Sequence, residues 1–146
     1  MTKISEKKII DFIKKHHVMT IATSVDNKPW CCNCFYAFDK EKTCLIFSSD
    51  LKTRHAQEAV INKQVAGSIV LETKIIGKIQ GIQFSGNMFI PENEMLAEAN
   101  SLYFKTFPFA LLKDTFLWQL DIEYIKFTDN SLGFGKKIIW EKPLSL

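Results

Sequence analysis

The chain has 146 residues, 47% hydrophobic and 24% charged, with twelve Phe and three Trp against six Gly and four Pro. That composition excludes a disordered chain and fits one globular domain over residues 1–146 with a real core. A formal net charge of +3 falls short of the clustered basic surface of a nucleic-acid binder, so no nucleic-acid partner is expected, while an anionic small ligand is compatible.

Residues 5–16 read as a helix. Ser5 suits the N-cap, and Ile4 with Ile9 has the spacing of a hydrophobic staple. Ile9, Ile10 and Ile13 give one apolar stripe, and Lys14, Lys15 and His16 suit the negative end of the dipole. This charged N-terminal stretch lacks the apolar centre of a signal peptide. No apolar run approaches the roughly 18 residues that span a bilayer. A cytoplasmic protein without a membrane partner is the expectation.

Strands follow. "VMTIAT" (18–23), "WCCNCFYAF" (30–38) and "TCLIFSS" (43–49) are separated by the turn signals "DNKP" and "DKEK". "DLKTRHAQEAVINK" (50–63) reads as a short helix capped near Thr53 or Asp50, with Ala56, Ala59 and Val60 on its apolar face. "QVAGSIVL" (64–71) returns to strand. Residues 75–90 read as one long strand with Ile82, Phe84, Met88 and Ile90 on one face and Gln83, Ser85 and Asn87 on the other. Gly77, Gly81 and Gly86 mark bends or bulges there. A helix over 92–105 has Pro91 at its first position. "FLWQLDI" (116–122) alternates, with Phe116, Trp118, Leu120 and Ile122 inward, and "YIKFTDN" and "KKIIW" close the chain. Six or seven strands with short turns and three helices suggest a small antiparallel barrel.

Two groups of residues carry candidate chemistry. In "SSDLKTRH" (48–55) a strand end leads into a helix start, where free backbone N–H groups favour anions. Lys52 and Arg54 add fixed charge, His55 an imidazole, and Ser48, Ser49 and Thr53 hydroxyls, which together suit a phosphate monoester. A capped surface helix with solvated charges is the plainer reading. In the cysteine strand, Trp30, Cys32, Cys34 and Tyr36 point one way and Cys31, Asn33 and Phe35 the other. There is no C-x-x-C and no second cysteine pair, so a structural metal centre is not expected, and the thiols read as packing residues. Mid-strand cysteines also lack the helix N-terminus of a redox dithiol. The four cysteines at 31, 32, 34 and 44 form no dispersed disulfide framework, which suits a reducing compartment.

Taken together, "HHVMTIAT", "WCCNCFYAFD", "KTRHAQ", "IQGIQFSGNM" and above all "IKFTDNSLGFGKKIIW" resemble the pyridoxamine 5′-phosphate oxidase-like family of FMN-binding split barrels, and most closely an uncharacterised bacterial branch of it. The resemblance covers nearly the whole chain. It implies a mainly β, α+β fold: an antiparallel six-stranded split β-barrel with peripheral helices, forming a homodimer with FMN at the interface. It implies that Ser48, Ser49, Lys52, Thr53, Arg54 and His55 grip the FMN phosphate, with His55 standing where the family has Lys. It places Cys32, Asn33, Cys34, Phe35 and Tyr36 along the flavin, and Gln83, then Gln80, against it from the partner region. The Arg-rich strand of the vitamin-B6 oxidases is replaced by Gln80 and Gln83, and no Arg follows Trp118, so B6 oxidation is not expected.

The function implied is a flavoprotein oxidoreductase acting on a small-molecule substrate. No catalytic side chain is assigned, although Tyr36 and His55 are donors in reach of such a role, and a thiol–flavin contact stays open. The alternative is a non-enzymatic split barrel, or one that binds haem or a deazaflavin, with His16, His17 or His55 as haem ligands. Single-stranded nucleic acid on the aromatic strands is a third, weaker alternative.

Overall fold

A computed structural model describes residues 6–112 and 114–144 of the chain. The first helix, α1 (Lys7–Lys15), buries Ile9, Phe12 and Ile13 against the core. Phe12 takes the place on the buried face that the stripe gave to Ile10, which is only partly covered. Glu6 occupies the cap without a side-chain hydrogen bond; the expected Ser5 cap and Ile4 staple lie outside the described residues.

Strands β1 (Val18–Val25) and β2 (Lys28–Phe35) form a hairpin. Its two turn residues, Asp26 and Asn27, have φ of 54° and 59°. Two left-handed residues in a two-residue loop match the twist of the strands, and Asp and Asn tolerate that backbone well. The expected single strand over 30–38 is broken at Tyr36. The Tyr36 N–H bonds to the carbonyl of His17 at 3.0 Å, and its hydroxyl donates to the carbonyl of Ile13 at 2.6 Å. The chain then leaves β1 and continues as β3 (Ala37–Asp39) against β4 (Cys44–Ser48).

Helix α2 (Arg54–Ile61) follows, capped by Thr53, whose hydroxyl accepts from the Ala56 N–H at 3.3 Å. Ala56 and Ala59 are buried, but Val60 faces solvent, so the apolar face is narrower than expected. Strand β5 (Gln64–Val70) pairs with β6 (Gln80–Phe89). The first residues of the expected 75–90 strand instead form a 3₁₀ turn, Ile76–Lys78. Gly86 marks a register slip: Ser85 pairs with Tyr124, but Gly86 pairs with Ile122. A Cβ on Gly86 would collide with the carbonyl oxygen of Asp121, so close backbone approach requires glycine here.

After α3 (Asn93–Thr106), capped at Glu92 rather than opened by Pro91, the 13-residue β7 (Leu117–Asp129) organises the sheet. The order is β2-β1-β5-β6-β7-β4-β3, all antiparallel, with β8 (Lys137–Glu141) also on β7. β7 pairs with β6 along one edge. On the other it holds β4 with residues 117–121 and β8 with residues 124–128. The sheet therefore has eight strands among the described residues, not six. The Tyr36 break divides one expected strand in two, and β7 is long enough to serve two partners in succession. Trp118, Leu120, Ile122, Ile125 and Phe127 face the main core. Leu117 and Gln119 are buried as well, because Ala99 and Tyr103 of α3 belong to a second core on the other face. Phe116 is only partly buried and Ile90 is exposed, so neither expected inward position is fully realised.

Candidate functional site

The end of β4 and the start of α2 form a corner built on local hydrogen bonds. The Trp118 indole N–H donates to the Ser49 carbonyl at 3.1 Å, and the Ser49 N–H to that of Phe116 at 2.9 Å, which fixes the strand end. Asp50 folds the loop: its carboxylate accepts the Lys52 N–H at 2.7 Å, and its carbonyl accepts the Thr53 hydroxyl at 2.8 Å. His55 Nε2 contacts the Ser49 hydroxyl and, at 3.3 Å, the Thr53 hydroxyl. Burial lowers the His55 pKa below the ordinary histidine value, which favours the neutral ring. No acidic residue lies in the first turn of α2, and the Asp50 carboxylate just ahead of it is engaged by the Lys52 N–H. A cavity of about 400 Å³ opens beside the corner, lined by Ser48, Asp50, Lys52, Thr115 and Phe116 among others.

Arg54 is held rather than free. Its Nε donates to Glu58 at 2.7 Å, and its guanidinium lies 4.3 Å from the centroid of the Trp30 ring. Glu58 also accepts the hydroxyl of buried Thr23 at 2.8 Å, which ties α2 to β1. The Arg54 hydrogen bond, then that of Thr23, hold the Glu58 carboxyl below its usual range. Glu58 four residues after Arg54 was visible in the sequence as an i, i+4 pair; Trp30 and Thr23 gave no such signal.

The cysteine strand alternates as expected. Cys31, Asn33 and Phe35 are exposed, while Cys32 and Cys34 pack against the core. Asn33 accepts the Thr20 hydroxyl at 2.7 Å, and the Phe35 ring packs tilted against that of Phe107 with centroids 5.9 Å apart. Tyr36 is buried with its hydroxyl spent on Ile13, and burial pushes its pKa up. Cys32 Sγ and Cys34 Sγ are 3.8 Å apart. The hydrogen bond between them lowers the Cys32 pKa, against the opposing effect of burial, and raises that of Cys34, where burial adds to it. A donor atom of His55 lies within 4.8 Å of both thiols. The sequence held no local sign of this triad, because His55 arrives from α2, beyond two further strands. Cys44 lies apart in the second core, its thiol pushed up to about 12 by burial and by Asp39 and Asp121.

Gln80 and Gln83 lie on β6, which β7 separates from β4. Gln80 donates to Asp129 at 3.2 Å, and Gln83 is exposed. Away from the corner, a cavity of about 510 Å³ is lined by His16, His17, Phe35, Tyr36, Phe38 and Phe107 among others. The His16 ring packs tilted against Phe12 with centroids 4.2 Å apart, and its Nε2 is buried without a hydrogen-bond partner. No helix among the described residues is long and apolar enough to cross a membrane.

A curled antiparallel sheet with three α-helices defines an α+β split barrel, and solved structures share it. A haem-binding protein from Mycobacterium smegmatis aligns with a TM-score of 0.75 at 16% identity, over 89% of this chain and 55% of that one. This chain thus spans about half the length of that protein. HutZ, the haem storage protein of Vibrio cholerae, gives 0.66 at 16% identity over 94% of each chain. An FAD-binding protein of Mesorhizobium loti gives 0.68 at 11% identity, over 84% of this chain and 92% of that one. No protein-family model matches the sequence. Relatives are nearer in sequence: a UPF0306 protein of Photorhabdus laumondii is 40% identical over 131 residues, 90% of this chain and 92% of its own length. Another from Yersinia pseudotuberculosis is 37% identical over 90% of this chain and 89% of its own length. The chain belongs to the UPF0306 family.

Proposed function

We propose that this protein is an FMN-binding split barrel that acts, as a homodimer, as an oxidoreductase on a small molecule. The corner at residues 48–55 carries the reading. It sets the hydroxyls of Ser49 and Thr53 around His55, with Lys52 and Arg54 flanking Thr53 in the chain, at a helix start with no acidic residue in its first turn. Cationic groups, hydroxyl donors and a positive helix end fit a doubly charged phosphate monoester. Lys52 and Arg54 would neutralise the phosphate, and the hydroxyls would orient it. Residues of β2, with Cys32 and Cys34 inward and Asn33 and Phe35 outward, would then border the ring system, with Gln80 and Gln83 contributing from the second copy. FMN, when bound, would supply electron transfer; the protein's part is binding, orientation and exclusion of water. The test is an absorbance spectrum of the purified protein, followed by FMN titration of a colourless sample. Flavin bands or saturable binding are expected; no chromophore and no binding would overturn the reading.

A second reading has its own support. The cavity beside α1 is lined by two histidines and four aromatic rings, and His16 Nε2 is buried without a hydrogen-bond partner. An imidazole in an aromatic pocket suits axial ligation of haem iron. The same spectrum separates the two readings, since haem gives a Soret band that His16→Ala would abolish.

A further inference from the structure

We infer that Cys32, Cys34 and His55 form a binding site for a single zinc ion. The inference goes beyond the flavin reading and does not rest on it. The three side chains offer two sulfur donors and one imidazole, all within 4.8 Å of one another. The two sulfurs are 3.8 Å apart, which is the edge of a tetrahedron with zinc–sulfur bonds of about 2.3 Å, or roughly 3.8 Å. On the same tetrahedron an imidazole nitrogen lies roughly 3.5 Å from each sulfur, so closing from within 4.8 Å needs a shift of at most about 1.3 Å. Soft thiolates combined with imidazole select zinc over magnesium or calcium.

The framework is set before any ion arrives. Cys32 and Cys34 are alternate residues of β2, which pairs with β1 over its whole length, so both thiols leave the same face. His55 is in the first turn of α2, and its Nε2 end is held by the hydroxyls of Ser49 and Thr53. Such outer contacts orient a ligating imidazole. All three residues are half-buried, which shields the ion and leaves a route in from solvent. Binding would release the thiol protons to water and leave both sulfurs as thiolates. The cluster holds three ligand residues, so the fourth tetrahedral corner is open to water or to a small ligand, as in zinc sites that do chemistry. With zinc in place, His55 leaves any phosphate to Lys52, Arg54 and the hydroxyls.

The test uses reduced full-length protein titrated anaerobically with Co²⁺ and then Zn²⁺. A single cobalt per chain is expected, with thiolate-to-cobalt charge transfer in the near ultraviolet and the visible bands of a tetrahedral ion, bleached by an equivalent of zinc. Cys32→Ser, Cys34→Ser and His55→Ala should each weaken binding by about 100-fold or more, since even outer-shell changes cost about 10–100-fold. Cys31→Ser, altering the exposed neighbour, should keep the wild-type spectrum. If a variant fails to fold, the wild type decides: zinc should protect Cys32 and Cys34, but not Cys31, from alkylation mapped by peptide mass spectrometry. A weak octahedral cobalt spectrum, a charge-transfer band that survives Cys32→Ser and Cys34→Ser, or alkylation unchanged by zinc would overturn the site. Flavin absorbance enters none of these readouts, so the two ideas fail separately.

Discussion

The hydroxyl of Tyr36 donates to the backbone carbonyl of Ile13 at 2.6 Å, joining the point where β2 gives way to β3 to the last turn of α1. That carbonyl is among the four at a helix C-terminus without an intrahelical partner. Both residues are buried, so water cannot replace the bond. Tyr36→Phe should cost about 1–3 kcal/mol, the penalty for a buried acceptor left unmade. Urea denaturation should show a lower midpoint with an unchanged slope. A midpoint equal to that of the wild type would mean the contact contributes nothing.

Two of the three glycines of the 75–90 segment, Gly86 and Gly77, should respond in opposite directions. Gly86→Ala puts a Cβ into the Asp121 carbonyl at the β6–β7 slip, and overpacking of this kind costs about 1–3 kcal/mol or more. Gly77 has open space around its Cβ position and does not have positive φ. Gly77→Ala should stabilise by about 0.4–1 kcal/mol, by restricting the unfolded chain. Thermal melts of the two variants, run side by side, check the ordering.

These two glycines also show what could be read in advance. Three glycines in one apolar strand signalled bends, but only the pairings with β5 and β7 decide which of them have a backbone against them, Ile69 against Gly81 and Asp121 against Gly86. The hairpin at Asp26 and Asn27 was legible, because its turn chemistry is local. The break at Tyr36 was not: a strand-like run of aromatics and cysteines says nothing of a helix carbonyl 23 residues earlier. The corner at 48–55 was legible as a capped helix start. The convergence of Cys32, Cys34 and His55 was hidden for the opposite reason, since it depends on how α2 lies across the β1–β2 hairpin.

His16 should make stability depend on pH. Burial, then the charges of Lys15 and His17, lower its pKa from the ordinary 6.5. A histidine with a lower pKa when folded is protonated first in the unfolded chain, so its contribution is intact above the unfolded pKa and lost as pH falls through it. Wild-type stability should therefore drop between about pH 7 and pH 5, the range in which an unfolded histidine takes up its proton. His16→Phe keeps a ring against Phe12 and removes the titration, so its curve should be flatter. Parallel curves for the two proteins over that range would remove His16 from the account. Burial lowers the His55 pKa too, which makes the difference between the proteins the informative quantity.

Arg54 and Thr53 separate ligand binding from helix capping. Thr53 caps α2 through the Ala56 N–H, and losing such a cap costs about 0.5–2 kcal/mol. Thr53→Ala should lower the melting temperature and loosen FMN only modestly. Arg54 is a half-exposed side chain engaged by Glu58 and Trp30, and side chains at such positions contribute little to stability. If its guanidinium is the charged partner of the FMN phosphate, Arg54→Ala removes a charge-assisted hydrogen bond. Affinity should then fall roughly 10- to 100-fold, as expected for a bond to a charged group. Fluorescence titration with FMN, set beside melting curves, should therefore show opposite rank orders for the two variants. An Arg54→Ala protein that melts early yet binds FMN as tightly as the wild type would assign Arg54 to the joint of α2 with the β1–β2 hairpin through Glu58 and Trp30, and the phosphate to other groups.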